Sequence, residues 1–162
     1  MKRIGLISDT HSYLHPDVKR FFKDCDEIWH AGDIGNTEVS ETLKSYKTLR
    51  AVYGNIDGKE LRLEFPLHQR FECEGLDVWI THIGGYPGRY HKDIRNTLES
   101  NPPGLFICGH SHILKVIYDK KNQLLHMNPG AAGKNGFHQK KTLLRFDIAK
   151  GKVENLEIIE LS

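Results

Sequence analysis

The 162-residue sequence predicts an α/β fold of α+β character, organised as one domain over residues 1–162. Three observations carry this expectation. The first third alternates short apolar runs with helix-period stripes, the βαβαβ order of a parallel sheet with crossover helices. The remainder is richer in strands than in helices. The length fits one ordinary domain, which buries about 70% of its unfolded surface and so has room for one substantial core.

Each element follows from its local pattern. Ile4-Gly5-Leu6-Ile7 is a short apolar run, read as a buried strand. Val18, Phe21, Phe22 and Cys25 recur at i, i+3, i+4 and i+7, an amphipathic helix with Pro16 where a helix can begin. Glu27 to His30 is a second strand, Val39, Leu43 and Tyr46 mark a second helix, and Leu49 to Tyr53 is a third strand. Phe71 to Glu74 and Asp77 to Thr81 flank a hairpin turn at Glu74-Gly75-Leu76-Asp77. A Gly/Pro/Tyr loop over 84–90 precedes a short helix from Lys92 to Glu99, and Leu105 to Cys108 is a buried strand. Lys115 to Tyr118 and Leu124 to Met127 form a hairpin, and Leu143 to Ile148 and Val153 to Ile159 are the last two strands.

Composition narrows the function classes. Lys and Arg (23) against Asp and Glu (21) leave a formal charge of +2, too mild for a dedicated binder of long nucleic acids. With 38% hydrophobic and 27% charged residues the chain reads as globular and soluble rather than disordered. No apolar run approaches the roughly 18 residues of a membrane span. The apolar stretch after Met1-Lys2-Arg3 ends at Asp9, too short for a secretory leader. Cys25, Cys73 and Cys108 form no CxxC pair, so no disulfide framework is expected, and Cys25 and Cys108 read as small core hydrophobes. A cytoplasmic protein is the expectation, with a homo-oligomer left open.

The chemistry gathers where strands end. Asp9-Thr10-His11, Gly32-Asp33, Gly54-Asn55-Ile56-Asp57, Thr81-His82 and Gly109-His110-Ser111-His112 each follow an expected strand. Ligands of open α/β sheets bind outside the carboxyl ends of the strands. Seven metal-capable side chains are thereby delivered to one edge: Asp9, His11, Asp33, Asn55, His82, His110 and His112. In extended backbone i and i+2 share a face, so Asp9 with His11, and His110 with His112, could each converge on one site. Seven donors exceed one tetrahedral zinc and suit two adjacent metals sharing a carboxylate, about 3.5–4 Å apart. Oxygen and imidazole donors without thiolate favour Mn²⁺, Fe²⁺, Ni²⁺ or Zn²⁺. Two divalent ions against Asp9 and Asp33 leave the site positive, suited to phosphate. Any one of these residues alone could be a core histidine, a turn residue or a helix cap; their joint occurrence in order at strand ends is what points to a site.

Those five motifs together resemble the calcineurin-like metallophosphoesterase superfamily. The short length and Asn128-Pro129-Gly130 are similar to its compact prokaryotic phosphodiesterase branch (YfcE-like). The resemblance implies a four-layer αββα sandwich of mixed sheets with a binuclear metal site at the strand ends. It implies one ion held by Asp9, His11 and His112, another by Asn55, His82 and His110, and Asp33 between them. Two divalent ions are implied, Mn²⁺ first and Ni²⁺, Fe²⁺ or Zn²⁺ as alternatives. The nucleophile would be a metal-bound hydroxide attacking phosphorus in line, without a covalent enzyme intermediate.

One position departs from the pattern. Many members carry His in the third motif, where it protonates the leaving group; this chain has Ile56, which strips Asp57 of its partner and leaves it a catalytic candidate or a turn-fixing residue. Asn55 is also a candidate substrate contact. The loop after His82 offers Arg89 for a phosphoryl oxygen and Tyr86 or Tyr90 for the leaving group. The remaining histidines (His15, His30, His68, His91, His126, His138) read as structural or solvated, and Lys140-Lys141 as a solvated strand edge. The expected activity is that of a phosphodiesterase on a small phosphorylated molecule or nucleotide. Its alternatives are a phosphomonoesterase, a nuclease, or a catalytically idle protein-binding scaffold like the retromer subunit of similar fold.

Overall fold

A computed structural model describes residues 1–162. The three early strands take up the expected parallel order: β1 (Lys2–Ile7) pairs with β2 (Glu27–His30), and β2 with β3 (Thr48–Ala51). The last two strands, β11 (Lys141–Ala149) and β12 (Lys152–Leu161), join this sheet antiparallel, giving the order β12-β11-β1-β2-β3. The second sheet is assembled from β4 (His68–Cys73), β5 (Leu76–Thr81), β8 (Leu105–Ile107), β9 (Leu114–Asp119) and β10 (Leu124–Pro129), in the order β4-β5-β8-β10-β9. Its three central strands are parallel and its two edge strands antiparallel. Both sheets are therefore mixed.

Alternation along the strands accounts for the layering, because each sheet has two buried faces. Between the sheets, Ile4, Leu6 and Trp29 of the first meet Val78, Ile80, Ile107 and Met127 of the second. Trp29 stands edge-on to Phe71 and Phe146 at 5.1 and 6.0 Å between ring centroids. The outer face of the first sheet is covered by α1 (Val18–Phe21), α2 (Thr37–Tyr46) and α3 (Lys59–Glu64), through Val18, Phe22, Val39, Leu43 and Leu61. The outer face of the second is covered by α4 (Lys92–Ser100), through Ile94 and Leu98 on Trp79 and Phe106. This is a four-layer αββα sandwich.

Two local expectations change, and one short helix, α3, is unforeseen. The helix expected over Val18 to Cys25 is a single turn: Asp26 exchanges hydrogen bonds with Arg3 at the start of β1, so the chain must leave the helix to begin β2 at Glu27. Phe22 and Cys25 are buried as their spacing suggests, but outside the helix. The short helix α3 carries no readable period, because within its six residues only Leu61 is buried while Leu63 is 78% exposed. The loop over 84–90 is a small hairpin, β6 (Gly85–Tyr86) and β7 (Arg89–Tyr90), closed by Pro87-Gly88, the signature of a type II turn.

Candidate metal centre

All seven candidate residues lie just beyond the carboxyl ends of strands. Asp9 and His11 follow β1, Asp33 follows β2 and Asn55 follows β3; His82 follows β5, and His110 and His112 follow β8. Five of them hold left-handed backbone, with φ of 54° at Asp9, 46° at His11, 57° at Asp33, 71° at His110 and 62° at His112. Such conformations are costly for residues other than glycine and concentrate at functional sites. They also overturn the expectation from extended backbone that His110 and His112 share a face. Asp9, His11 and His112 bring one ligand atom each within 4.8 Å of one another, whereas His110 joins Asp33 and His82 in a second such set.

The two sets meet at a carboxylate. Asp33 Oδ2 lies 3.2 Å from His82 Nε2 and 3.4 Å from His11 Nε2, one histidine from each set. Its other oxygen accepts the Ile56 N–H at 3.1 Å, which fixes the rotamer. Asp9 is anchored likewise: Oδ2 accepts from Ser8 Oγ at 2.7 Å and from the His110 N–H at 3.1 Å, leaving Oδ1 turned inward, 3.2 Å from His112 Nε2. Burial works against ionisation of both carboxylates. The imidazoles around them outweigh it and hold both below the usual carboxylate range, Asp9 far below. His11 is raised above its ordinary value by its contact with Asp9, and His82 is raised by Asp33 and Asp9 in spite of its burial. Burial lowers His110, with His82 acting in the same direction.

Hydrogen bonds behind the histidines set their tautomers. His82 Nδ1–H donates to the Ala31 carbonyl at 2.7 Å, so Nε2 presents a lone pair toward Asp33. Gly32 has φ of 100°, and a Cβ there would stand 2.6 Å from His82 Nδ1; only glycine fits beside this ring. His112 is set by a second histidine. His138 Nε2–H donates to the Gly133 carbonyl at 2.7 Å, so His138 Nδ1 accepts the proton of His112 Nδ1 at 3.2 Å, and His112 Nε2 faces Asp9. A Cβ on Gly136 would fall 2.3 Å from His112 Nδ1. His110 Nδ1 bonds Asn55 Oδ1 at 3.1 Å, which brings Asn55 to the second set.

These donors fit divalent metal. Asp9 Oδ1, His11 Nε2 and His82 Nε2 are buried without a hydrogen-bond partner, all within this one cluster. A bare imidazole lone pair opposite a carboxylate is repulsive unless a proton or a cation lies between them. Oxygen and nitrogen donors oriented by a second layer of hydrogen bonds are the arrangement of metal sites. The residues able to hold ions are Asp9, His11 and His112 in one set, and Asn55, His82 and His110 in the other, with Asp33 between.

Other candidates fall elsewhere. Asp57 is buried, and its carboxylate accepts three backbone N–H groups, from Gly54 at 2.8 Å, Gly35 at 2.8 Å and Ile34 at 3.2 Å. It clamps the turn carrying Asn55 to the loop carrying Asp33, so its place is that of a fastening rather than of a proton donor. Tyr90 is buried and donates its hydroxyl to Asp119 at 2.7 Å, out of reach of a leaving group, which corrects the expectation for that residue. Tyr86 and Arg89 line a cleft of about 440 Å³ that also contains His110. His30 is structural as expected: its Nε2–H bonds Thr10 Oγ1 at 3.0 Å, its Nδ1 accepts from Gly32, and burial pushes its pKa down to about 4. Cys25 and Cys108 are buried, and exposed Lys140 pairs with Glu160. The residue that spacing missed is His138, 26 positions beyond His112 in an irregular loop where no motif marks it.

The chain is similar to known proteins along most of its length. The chain is 29% identical over 133 residues to a probable metallophosphoesterase of Methanothermobacter thermautotrophicus, covering 79% of this chain and 76% of that one. Its fold is similar to that of an archaeal phosphodiesterase, with a TM-score of 0.79, 23% identity and coverage of 98% and 99%. It is similar also to the zinc complex of Vps29 from Entamoeba histolytica, with a TM-score of 0.72, 15% identity and coverage of 98% of each chain. The profile of the calcineurin-like phosphoesterase superfamily domain matches residues 1–151, and the chain belongs to that superfamily.

Proposed function

We propose that this chain is a phosphodiesterase, acting in the cytoplasm on a small phosphorylated molecule or nucleotide with two divalent ions, Mn²⁺ first among them. The observation that carries this reading is the position of Asp33 Oδ2 between His11 and His82, where two ligand sets with three orphaned buried atoms share one carboxylate. When bound, a pair of divalent ions supplies an activated water nucleophile and neutralises charge developing on the phosphoryl oxygens. The chain's own residues do the positioning. Ala31 and His138 orient His82 and His112, and Asp57 holds the Asn55 turn against the Asp33 loop. The cleft beside His110 admits a substrate from solvent, with Arg89 at its rim to meet a phosphoryl oxygen. Three free, buried cysteines support a reducing compartment.

The scaffold alternative has a specific support in the Vps29 neighbour. Because that neighbour is itself a zinc complex, metal binding alone does not separate enzyme from scaffold; turnover does. The experiment is hydrolysis by the Mn²⁺-loaded protein of bis(4-nitrophenyl) phosphate, 4-nitrophenyl phosphate and a single-stranded oligonucleotide. Metal-dependent cleavage favouring the diester over the monoester is expected. A preference for the monoester or the oligonucleotide would move the activity to phosphomonoesterase or nuclease, and no turnover of any of them would favour the scaffold.

A further inference from the structure

Two clefts open beside the ligand cluster, and their charge differs. The first, of about 340 Å³, is lined by Tyr53, Leu67, His68 and Ile94 together with Asn55 and His82. Its one guanidinium, Arg62, is engaged with the Asp57 and Asn55 carbonyls, and Asp93 lies at its edge. The second is the 440 Å³ cleft of Tyr86, Arg89, His110 and Ser111. It continues past Tyr86 and Ser111 into a recess of about 120 Å³ lined also by Ile113, Lys115, His126 and Asn128. No carboxylate lines either the second cleft or the recess.

A count of donors and acceptors shows what the recess offers. Ser111 lies between His110 and His112 in the chain and lines the second cleft beside His110. Its Oγ accepts the Ile113 N–H at 3.1 Å and Asn128 Nδ2–H at 3.2 Å. Both lone pairs are thereby occupied, and the hydroxyl proton is free to donate. Asn128 is itself committed, donating to the Gly109 carbonyl at 3.0 Å and accepting from the Gly130 N–H at 2.9 Å. His126 donates Nε2–H to the Gly85 carbonyl at 2.9 Å. Lys115 Nζ rests 4.7 Å from the centre of the Tyr86 ring, a weak hold for an ammonium group. His126 Nδ1 is left without a hydrogen-bond partner but is buried away from the surface. The groups left to meet a ligand are thus one hydroxyl proton and one ammonium, both donors, in a space lined by no carboxylate.

We propose that this recess is a subsite for a second phosphoryl group on the substrate, received by the Ser111 hydroxyl and Lys115. The scissile phosphate then lies at the ligand cluster, and the less charged end of the substrate lies in the Tyr53–Leu67 cleft. The proposal rests on the phosphodiesterase reading for the identity of the scissile group, but the subsite is tested by binding alone. Charge-assisted hydrogen bonds of this kind correspond to roughly tenfold or more in affinity.

The test is calorimetric binding of thymidine 3′,5′-bisphosphate and thymidine 5′-monophosphate to the Mn²⁺-loaded protein. The wild-type chain should bind the bisphosphate about tenfold more tightly, and Lys115→Met should collapse that ratio toward one. Lys120→Met, on the exposed turn between β9 and β10, should keep it. Equal affinity of the wild type for the two ligands, or a ratio that survives Lys115→Met, would overturn the subsite. The matched pair of 4-nitrophenyl esters at the 5′-phosphate, with and without a 3′-phosphate, separates the two claims. A binding preference intact without hydrolysis of either ester would sink the phosphodiesterase reading and leave the subsite standing.

Discussion

At the scale of single residues, three of the four candidate ligand histidines have their second ring nitrogen occupied. The partner of His82 is a carbonyl, that of His110 is Asn55 and that of His112 is His138. Loss of such a partner typically weakens metal affinity about 10–100-fold. His138→Phe should lower affinity at one of two sites by that order, measured by competition with a chelator, while His138→Asn, whose Oδ1 can stand near the lost Nδ1, should recover part of it. Unchanged affinity in His138→Phe would remove His138 from the site. The candidate ligands were legible in the sequence because each follows an apolar run. His138 was not, because a contact across an irregular loop leaves no period. Asp57 was legible as a member of its motif, yet its task was not, since three backbone donors converge on it only once the turn after β3 packs on the loop after β2.

At the scale of elements, the parallel strands and their ends could be read from short apolar runs, while the helices on the outer faces were read less well. The single turn α1 and the stripe-poor α3 owe their form to where the sheet needs the chain next, and local spacing carries no record of that. The turn after β3 has a chemical consequence. Its Ile56 N–H holds Asp33, while the Ile56 side chain stands 46% exposed and has no proton to give. Leaving-group chemistry should therefore show in the rate. Aryl diesters, whose departing oxygen carries charge easily, should outpace alkyl diesters with a steep dependence of kcat on leaving-group pKa, since general-acid help is commonly worth about 10²–10⁴-fold. Single-turnover measurements across a series of phenyl esters read the slope, and a flat line would mean that another group donates the proton. Ile56→His should not restore this help by itself, because the Asp57 carboxylate that would orient a ring is already held by three N–H groups.

At the scale of the whole molecule, neither ligand set belongs to one sheet. The first takes Asp9 and His11 from the end of β1 and His112 from beyond β8; the second takes Asp33 from the end of β2, and His82 and His110 from beyond β5 and β8. The site exists only because Trp29, Ile80, Ile107 and their neighbours press the two sheets together with their parallel strands ending at a common edge. That packing joins residues about a hundred positions apart and is invisible to local pattern, although the strand-end motifs hint at it by their number. Ions held across the seam by these residues would also stabilise the sandwich by mass action. The most direct test is a titration of Mn²⁺ into metal-free protein, following hydrolysis of bis(4-nitrophenyl) phosphate against equivalents added. The expected result is activity that rises to a break at two ions per chain. Activity complete at one ion, or independent of added ion, would contradict a site in which Asp33 serves two metals.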